Sequence, residues 1–139
     1  MVKEISLEDI SAFNALGNLV NKQFTALFSL KEILEKEYSH VFGYYIENKL
    51  VAFLHVEKSF DVVDIINIVV EPTHRRCGIA KQLLEHCFQT FPSVEEYVLE
   101  VKVTNKEAIV LYEKMGFEII NTRKGYYQGI DGYVMKRGV

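Results

Sequence analysis

The stretch from Val62 to Val103 constrains the fold more than any other part of the chain. Val62 to Val70 is a run rich in β-branched residues, and Pro72, which cannot donate to a β-ladder, ends it. After a short basic loop, Ile79, Leu83, Leu84, Cys87 and Phe88 recur at helical spacing, which predicts a helix from about Gly78 to Thr90. Pro92 closes that helix, and Tyr97 to Val103 reads as the next strand. A strand, helix, strand sequence of this length predicts a right-handed crossover joining two parallel strands.

The flanking segments set this crossover in a larger sheet. Ser6 with Asp9, and Ser29 with Glu32, have the spacing of capping boxes, so two helices are predicted early in the chain. Val41 to Ile46 and Leu50 to Val56 then read as strands split by Glu47-Asn48-Lys49, the composition of a hairpin turn. Ala108, Ile109, Leu111, Tyr112 and Met115 mark a further helix, with Gly116 placed to cap it. Phe117 to Arg123 and Tyr133 to Lys136 read as two last strands, with Gly125, Gly129 and Gly132 available for a turn or bulge. The predicted order is ααβββαβαββ. This is an α/β (α+β) fold with a mixed, mostly antiparallel sheet and helices on both faces, in a single domain over 1–139.

Composition narrows the class of partner. The net charge of −3 with scattered basic residues supplies no cationic stripe, so direct nucleic-acid binding is not expected. The first residues lack a signal-peptide pattern and no apolar run reaches membrane-spanning length, which predicts a cytoplasmic protein with no membrane partner and reduced thiols. His40, His55, His74 and His86 lack metal-ligand spacing, so no metal is expected. Cys77 and Cys87 have no activating neighbours in sequence and are not read as nucleophiles.

Arg75-Arg76-Cys77-Gly78-Ile79-Ala80 joins a strand to a helix start, where unpaired N–H groups and the helix dipole favour an anion. Small residues at Gly78 and Ala80 admit an oxygen-rich ligand to the backbone, and a pyrophosphate fits. The alternative is that Gly78 only eases the chain into the helix while the arginines are solvated. Neither a dinucleotide fingerprint nor a P-loop is present.

The loop resembles the (Gln/Arg)-x-x-Gly-x-(Gly/Ala) segment of the GNAT superfamily of N-acetyltransferases. Asn67-Ile68-Val69-Val70-Glu71-Pro72, Leu99-Glu100-Val101 and Asn105 to Phe117 resemble successive segments of its ribosomal-protein-alanine N-acetyltransferase branch. The resemblance covers roughly Val41 to Lys136. It implies a fold in which two neighbouring strands splay to admit acetyl-CoA. By that resemblance the pantetheine arm runs beside Ile68, Val69 and Val70. The backbone from Arg76 through Cys77, Gly78, Ile79 and Ala80 to Lys81 holds the pyrophosphate, with Arg75 adding charge, and Asn105 bonds the cofactor arm.

Two residues stand out as proton handlers. Glu100 interrupts the apolar run Tyr97 to Val101, and a central strand covered on both faces normally carries no charge there. Either it is a partly buried general base, or the strand is open and Glu100 pairs with Lys102 or another cation. Tyr112 lies on the apolar face of its helix, where a core tyrosine is the ordinary reading. The resemblance implies that Glu100 is the general base and Tyr112 the general acid. The expected reaction is direct attack of an amine on the acetyl thioester. Glu100 removes the amine proton, a backbone N–H near Val70 steadies the oxyanion, and Tyr112 protonates the departing sulfur.

Arg123-Lys124-Gly125-Tyr126-Tyr127 resembles a segment bordering the peptide groove in N-terminal acetyltransferases, with Gly125 in place of the usual Asn. It implies Tyr126 and Tyr127 as substrate contacts; an aromatic pair at a sheet edge is the alternative. The Phe-Pro-Trp-like wall of that branch is also missing, since Ala26-Leu27-Phe28-Ser29-Leu30 stands in its place and the chain has no tryptophan. A peptide or protein N-terminus is the expected acceptor. An α-amine, with pKa near 8, needs less help to lose its proton than a lysine near 10.4. A small-molecule amine, or a non-catalytic acyl-CoA sensor, is the alternative.

Overall fold

A computed structural model of the protein describes residues 1–138. Seven strands form a mixed sheet in the order β1-β2-β3-β4-β5-β7-β6. They are β1 (Val2–Glu4), β2 (Ser39–Ile46), β3 (Lys49–Ser59), β4 (Val62–Val70), β5 (Glu96–Lys102), β6 (Glu118–Tyr127) and β7 (Ile130–Gly138). The helices are α1 (Ile10–Val20), α2 (Phe24–Leu27), α3 (Leu30–Glu35), α4 (Ile79–Thr90) and α5 (Lys106–Lys114). Of the recorded pairings only β4 with β5 is parallel, with a register from Val62↔Glu96 to Ile65↔Leu99.

The fold class is that expected, with two additions. Strand β1 pairs with β2 from Val2↔Tyr44 to Glu4↔Phe42, and α2 is a separate helical turn. The Ser6 capping box forms as read, but it opens a 3-10 turn, Leu7–Asp9, that leads into α1. Ser29 caps α3 by accepting from the Glu32 N–H at 3.3 Å. Between β2 and β3, Glu47 and Asn48 both take positive φ (50° and 65°), the geometry of a two-residue hairpin turn. After α5, Gly116 at φ 92° lets its own N–H reach the Glu113 carbonyl and the Phe117 N–H reach that of Tyr112, so the predicted glycine cap is made.

Two compact units organise these elements. The first comprises Met1–Glu57 with Asn67–Pro92. On one face of β2 and β3, Val41 and Phe53 pack with Phe13 of α1, Phe24 of α2 and Ile33 of α3. The rings of Phe13, Phe24 and Phe53 lie 4.5–6.0 Å apart, centroid to centroid. Successive strand residues point to opposite faces, so Phe42 meets the other side, where His86 of α4 and Phe91 cover it. Helices therefore lie on both faces of this unit's strands.

The second unit comprises Lys58–Ile66 with the residues from Ser93 onward. Strand β5 alternates: Tyr97, Leu99 and Val101 are buried, while Glu96, Val98 and Glu100 are only half-buried. It is thus covered fully on one face only. Strand β6 is exposed along almost its whole length, and a two-residue turn at Gln128 and Gly129 returns the chain into β7.

Candidate active site

In the first unit, Arg76 and Gly78 both have positive φ (63° and 76°), so the loop folds tightly into α4. Glycine tolerates this conformation, and a Cβ built at Gly78 meets nothing within 4 Å, so the backbone here faces open space. No side chain caps α4; its first bond runs from the Gln82 N–H to the Gly78 carbonyl at 3.0 Å. The N–H groups of Ile79, Ala80 and Lys81 therefore precede the helical ladder, at the positive end of the helix dipole. Arg75 Nε donates to the Val70 carbonyl at 3.3 Å, tying the loop back to the end of β4.

Along β4, Val69 is buried against the core while Ile68 and Val70 are half-buried. The preceding residue, Asn67, keeps its Nδ2 buried with no hydrogen-bond partner among the described residues. Leaving a buried donor unmade is costly, so this amide is a natural contact for a carbonyl-bearing ligand arm. These donors and the open backbone are chemically suited to a ligand such as acetyl-CoA, which carries both phosphates and amides.

The second unit holds Glu100, Tyr112, Tyr126 and Tyr127. Glu100 sits on the half-open face of β5, opposite Val134 of β7. Its Oε1 accepts from Arg123 Nη1 at 2.5 Å, and the other oxygen, Oε2, is buried with no partner among the described residues. Of the cations the open-strand reading allowed, Lys102 or another, the partner is Arg123. Lys102 instead lies over the Tyr127 ring, 5.5 Å from its centroid.

Tyr112 is buried on α5, edge-on to Phe117 with ring centroids 5.9 Å apart. Burial, with a smaller contribution from Tyr127, raises its hydroxyl above the usual 10, so it keeps its proton at neutral pH. Tyr127 is raised in the same direction by burial first, then by Glu100 and Tyr126, against an opposing pull from Arg123. Tyr126 and Tyr127 pack edge to face at 5.0 Å, and the Arg123 guanidinium lies 4.3 Å from the Tyr126 ring centre. Asn105 caps α5 by accepting from the Ala108 N–H at 3.3 Å, which engages its carbonyl oxygen and leaves its NH₂ end outside that bond.

The structure thus brings Glu100 together with Arg123, and Arg123 with Tyr126 and Tyr127. The sequence reading placed Arg123 only in a peptide-bordering segment and missed it as Glu100's partner. Cys77 is exposed, and burial pushes the Cys87 thiol up to about 12, which keeps it protonated and unreactive.

The chain is similar to known proteins in both sequence and fold. The ribosomal protein bS18-alanine N-acetyltransferase of Escherichia coli (strain K12) is 36% identical over 86 residues, covering 60% of this chain and 58% of that protein. An N-alpha-acetyltransferase of Saccharolobus solfataricus is 43% identical over 77 residues, covering 52% of this chain and 46% of that protein. The matched segment therefore spans about half the length of these relatives. Among solved structures, the ribosomal-protein-S18-alanine N-acetyltransferase from Escherichia coli superposes with a TM-score of 0.85 at 26% identity, over 100% of this chain and 93% of that one. Ard1 from Thermoplasma volcanium shares the fold, with a TM-score of 0.87 at 24% identity over 100% and 97% of the two chains. Residues 7–117 match the acetyltransferase (GNAT) family, a span that takes in the α4 loop, Glu100 and Tyr112 alike, and the chain belongs to that family.

Proposed function

We propose that this chain is an acetyl-CoA-dependent N-acetyltransferase whose acceptor is a primary amine, in the first instance the α-amine of a protein or peptide N-terminus. The observation that carries the reading is Glu100: a half-exposed carboxylate with one oxygen paired and the other buried without a partner, able to take a proton from an amine or an intervening water. Tyr112, in the same unit, holds its proton against neutral pH and has one to give. When bound, acetyl-CoA supplies an acetyl group activated as a thioester. The loop N–H groups of Gly78, Ile79, Ala80 and Lys81 and the side chain of Arg76 would hold its phosphates. Ile68, Val69 and Val70 would pair with its arm, and Asn105 would offer its amide to the same arm. A backbone N–H near Val70 would stabilise negative charge on the acetyl oxygen.

The family match runs continuously through segments of both units, which supports reading 1–139 as a single N-acetyltransferase domain. The relatives named for N-terminal acetylation support an α-amine acceptor. A cytoplasmic setting belongs to the same reading, and both cysteines are unbridged. A small-molecule amine is the second reading. It is favoured by Ala26 to Leu30, where Leu27 projects into solvent at 61% exposure and Phe28 turns onto Phe24 and His55.

The test follows free-CoA release from acetyl-CoA with short peptides of different N-terminal residues, beside free lysine, polyamines and aminoglycosides. Selective acetylation of peptide N-termini, with turnover lost in Glu100→Gln and reduced in Tyr112→Phe, is the expected result. Reaction with small amines alone moves the acceptor to the second reading. Cofactor binding with no turnover on any amine makes the chain a sensor and removes the enzymatic reading.

A further inference from the structure

The placement of Arg123 follows from the sheet. Lys102 of β5, Gly132 of β7 and Arg123 of β6 lie in one cross-strand row, so they share a face, and Glu100, two residues along β5, shares it too. At the middle of that row β7 carries no side chain. A Cβ at Gly132 would lie 2.8 Å from the Tyr127 ring, so the space over Gly132 is taken by that ring. On this same face Arg123 reaches from the exposed edge strand to a carboxylate two strands away. The Tyr126 ring supports the guanidinium from one side and the carboxylate fixes it at the other.

The two carboxylate oxygens of Glu100 are therefore unequal. Arg123 holds Oε1, which stops the carboxylate from turning, and the oxygen left over is the buried, unpartnered Oε2. An orphaned buried acceptor is disfavoured unless a donor arrives to fill it. We propose that Arg123 is a positioning residue for acetyl transfer: it clamps Oε1 of Glu100 so that Oε2 is aimed at the N–H of the incoming amine or of a bridging water. This rests on the reading of Glu100 as general base. On this view Tyr126 is a shelf for the guanidinium, and Gly132 is kept small to seat the neighbouring Tyr127 ring.

The experiment uses the full chain with acetyl-CoA and a short alanine-initiated peptide, separating kcat from KM. Arg123→Ala is expected to lower kcat about 10- to 100-fold, the cost of a misdirected catalytic group, with KM for the peptide and the melting temperature near wild type. Added methylguanidinium should restore part of the lost kcat in Arg123→Ala and none in Glu100→Gln. In the double variant Arg123→Ala with Glu100→Gln, the two losses should not multiply, since both act through one oxygen. An unchanged kcat in Arg123→Ala, a loss carried wholly by KM, or multiplicative losses would overturn the clamp. A Glu100→Gln variant with full kcat overturns the base reading itself. A wild-type chain inert toward the peptide and toward every amine in the panel removes both.

Discussion

His55 in β3 and Glu100 in β5 are both titratable side chains set among apolar neighbours, and the protein houses them differently. His55 is 3% exposed, with Phe28 edge-on at 6.1 Å, and neither ring nitrogen has a hydrogen-bond partner among the described residues. Burial, aided by the nearby positive charge of Lys36, pushes its imidazole down to about 4, so it is neutral. Glu100 keeps 30% of its side chain open and has a guanidinium on one oxygen. A polar group sealed without partners can only cost stability. One that is held at one oxygen, unfilled at the other and partly open along its side chain has a place for a proton from a ligand that reaches it. Strand β3 is buried on both faces from Leu50 to Val56, whereas β5 is buried on one, and that difference decides which role each residue can have.

If the contrast holds, activity and stability separate cleanly between the two regions. Glu100→Gln preserves shape and leaves an amide oxygen for Arg123. It should therefore lower kcat by about 10²- to 10⁴-fold while unfolding free energy stays within about 0.5 kcal/mol of wild type. Steady-state CoA release and urea unfolding on the same preparation measure both, and a large stability loss would mean that Glu100 is structural. The converse variant is Phe13→Ala, in the fully buried ring cluster with Phe24 and Phe53. It should cost about 3–5 kcal/mol in unfolding free energy. Its folded fraction, assayed below the transition, should keep near-normal turnover; a loss of kcat in that fraction would tie the aromatic core to the chemistry.

What was legible in the sequence follows the same division. Strand β4 has the predicted bounds because a β-branched run ends at Pro72, and α4 begins one residue inside its prediction because Gly78 is its cap. These signals are local. Strand β1 was not readable, since Val2-Lys3-Glu4 shows no pattern and is defined only by pairing with β2. Strand β6 was cut short at Arg123 because Gly125 reads as a break, yet there it takes φ 65° within an irregular register and the strand runs on to Tyr127. The loop and Glu100 could be picked out by composition and spacing. The bond from Arg123 to Glu100 could not, because it joins residues 23 apart across an intervening strand, β7, and depends on a register that no local pattern reveals. His55 was weighed only as a metal ligand, and its lack of partners is a property of packing that no spacing reveals.

His55 offers the finest test of the contrast, because its effect should appear in stability and in nothing else. Its imidazole titrates near 6.5 when unfolded and about 4 when buried, so the unfolded chain binds the proton first as pH falls. Stability is therefore at its full level above 6.5 and falls as pH drops from there to about 4, and the two values correspond to roughly 3 kcal/mol. Urea unfolding between pH 7 and pH 4 should show wild type losing that much beyond what its carboxylates account for. His55→Leu removes both orphaned nitrogens at similar volume, so it should flatten this acid limb and gain about 1 kcal/mol at pH 7. Its kcat should match wild type at every pH where both are folded. An acid limb unchanged in His55→Leu would mean that the imidazole finds partners in solution, and β3 would then no longer be the sealed counterpart of β5.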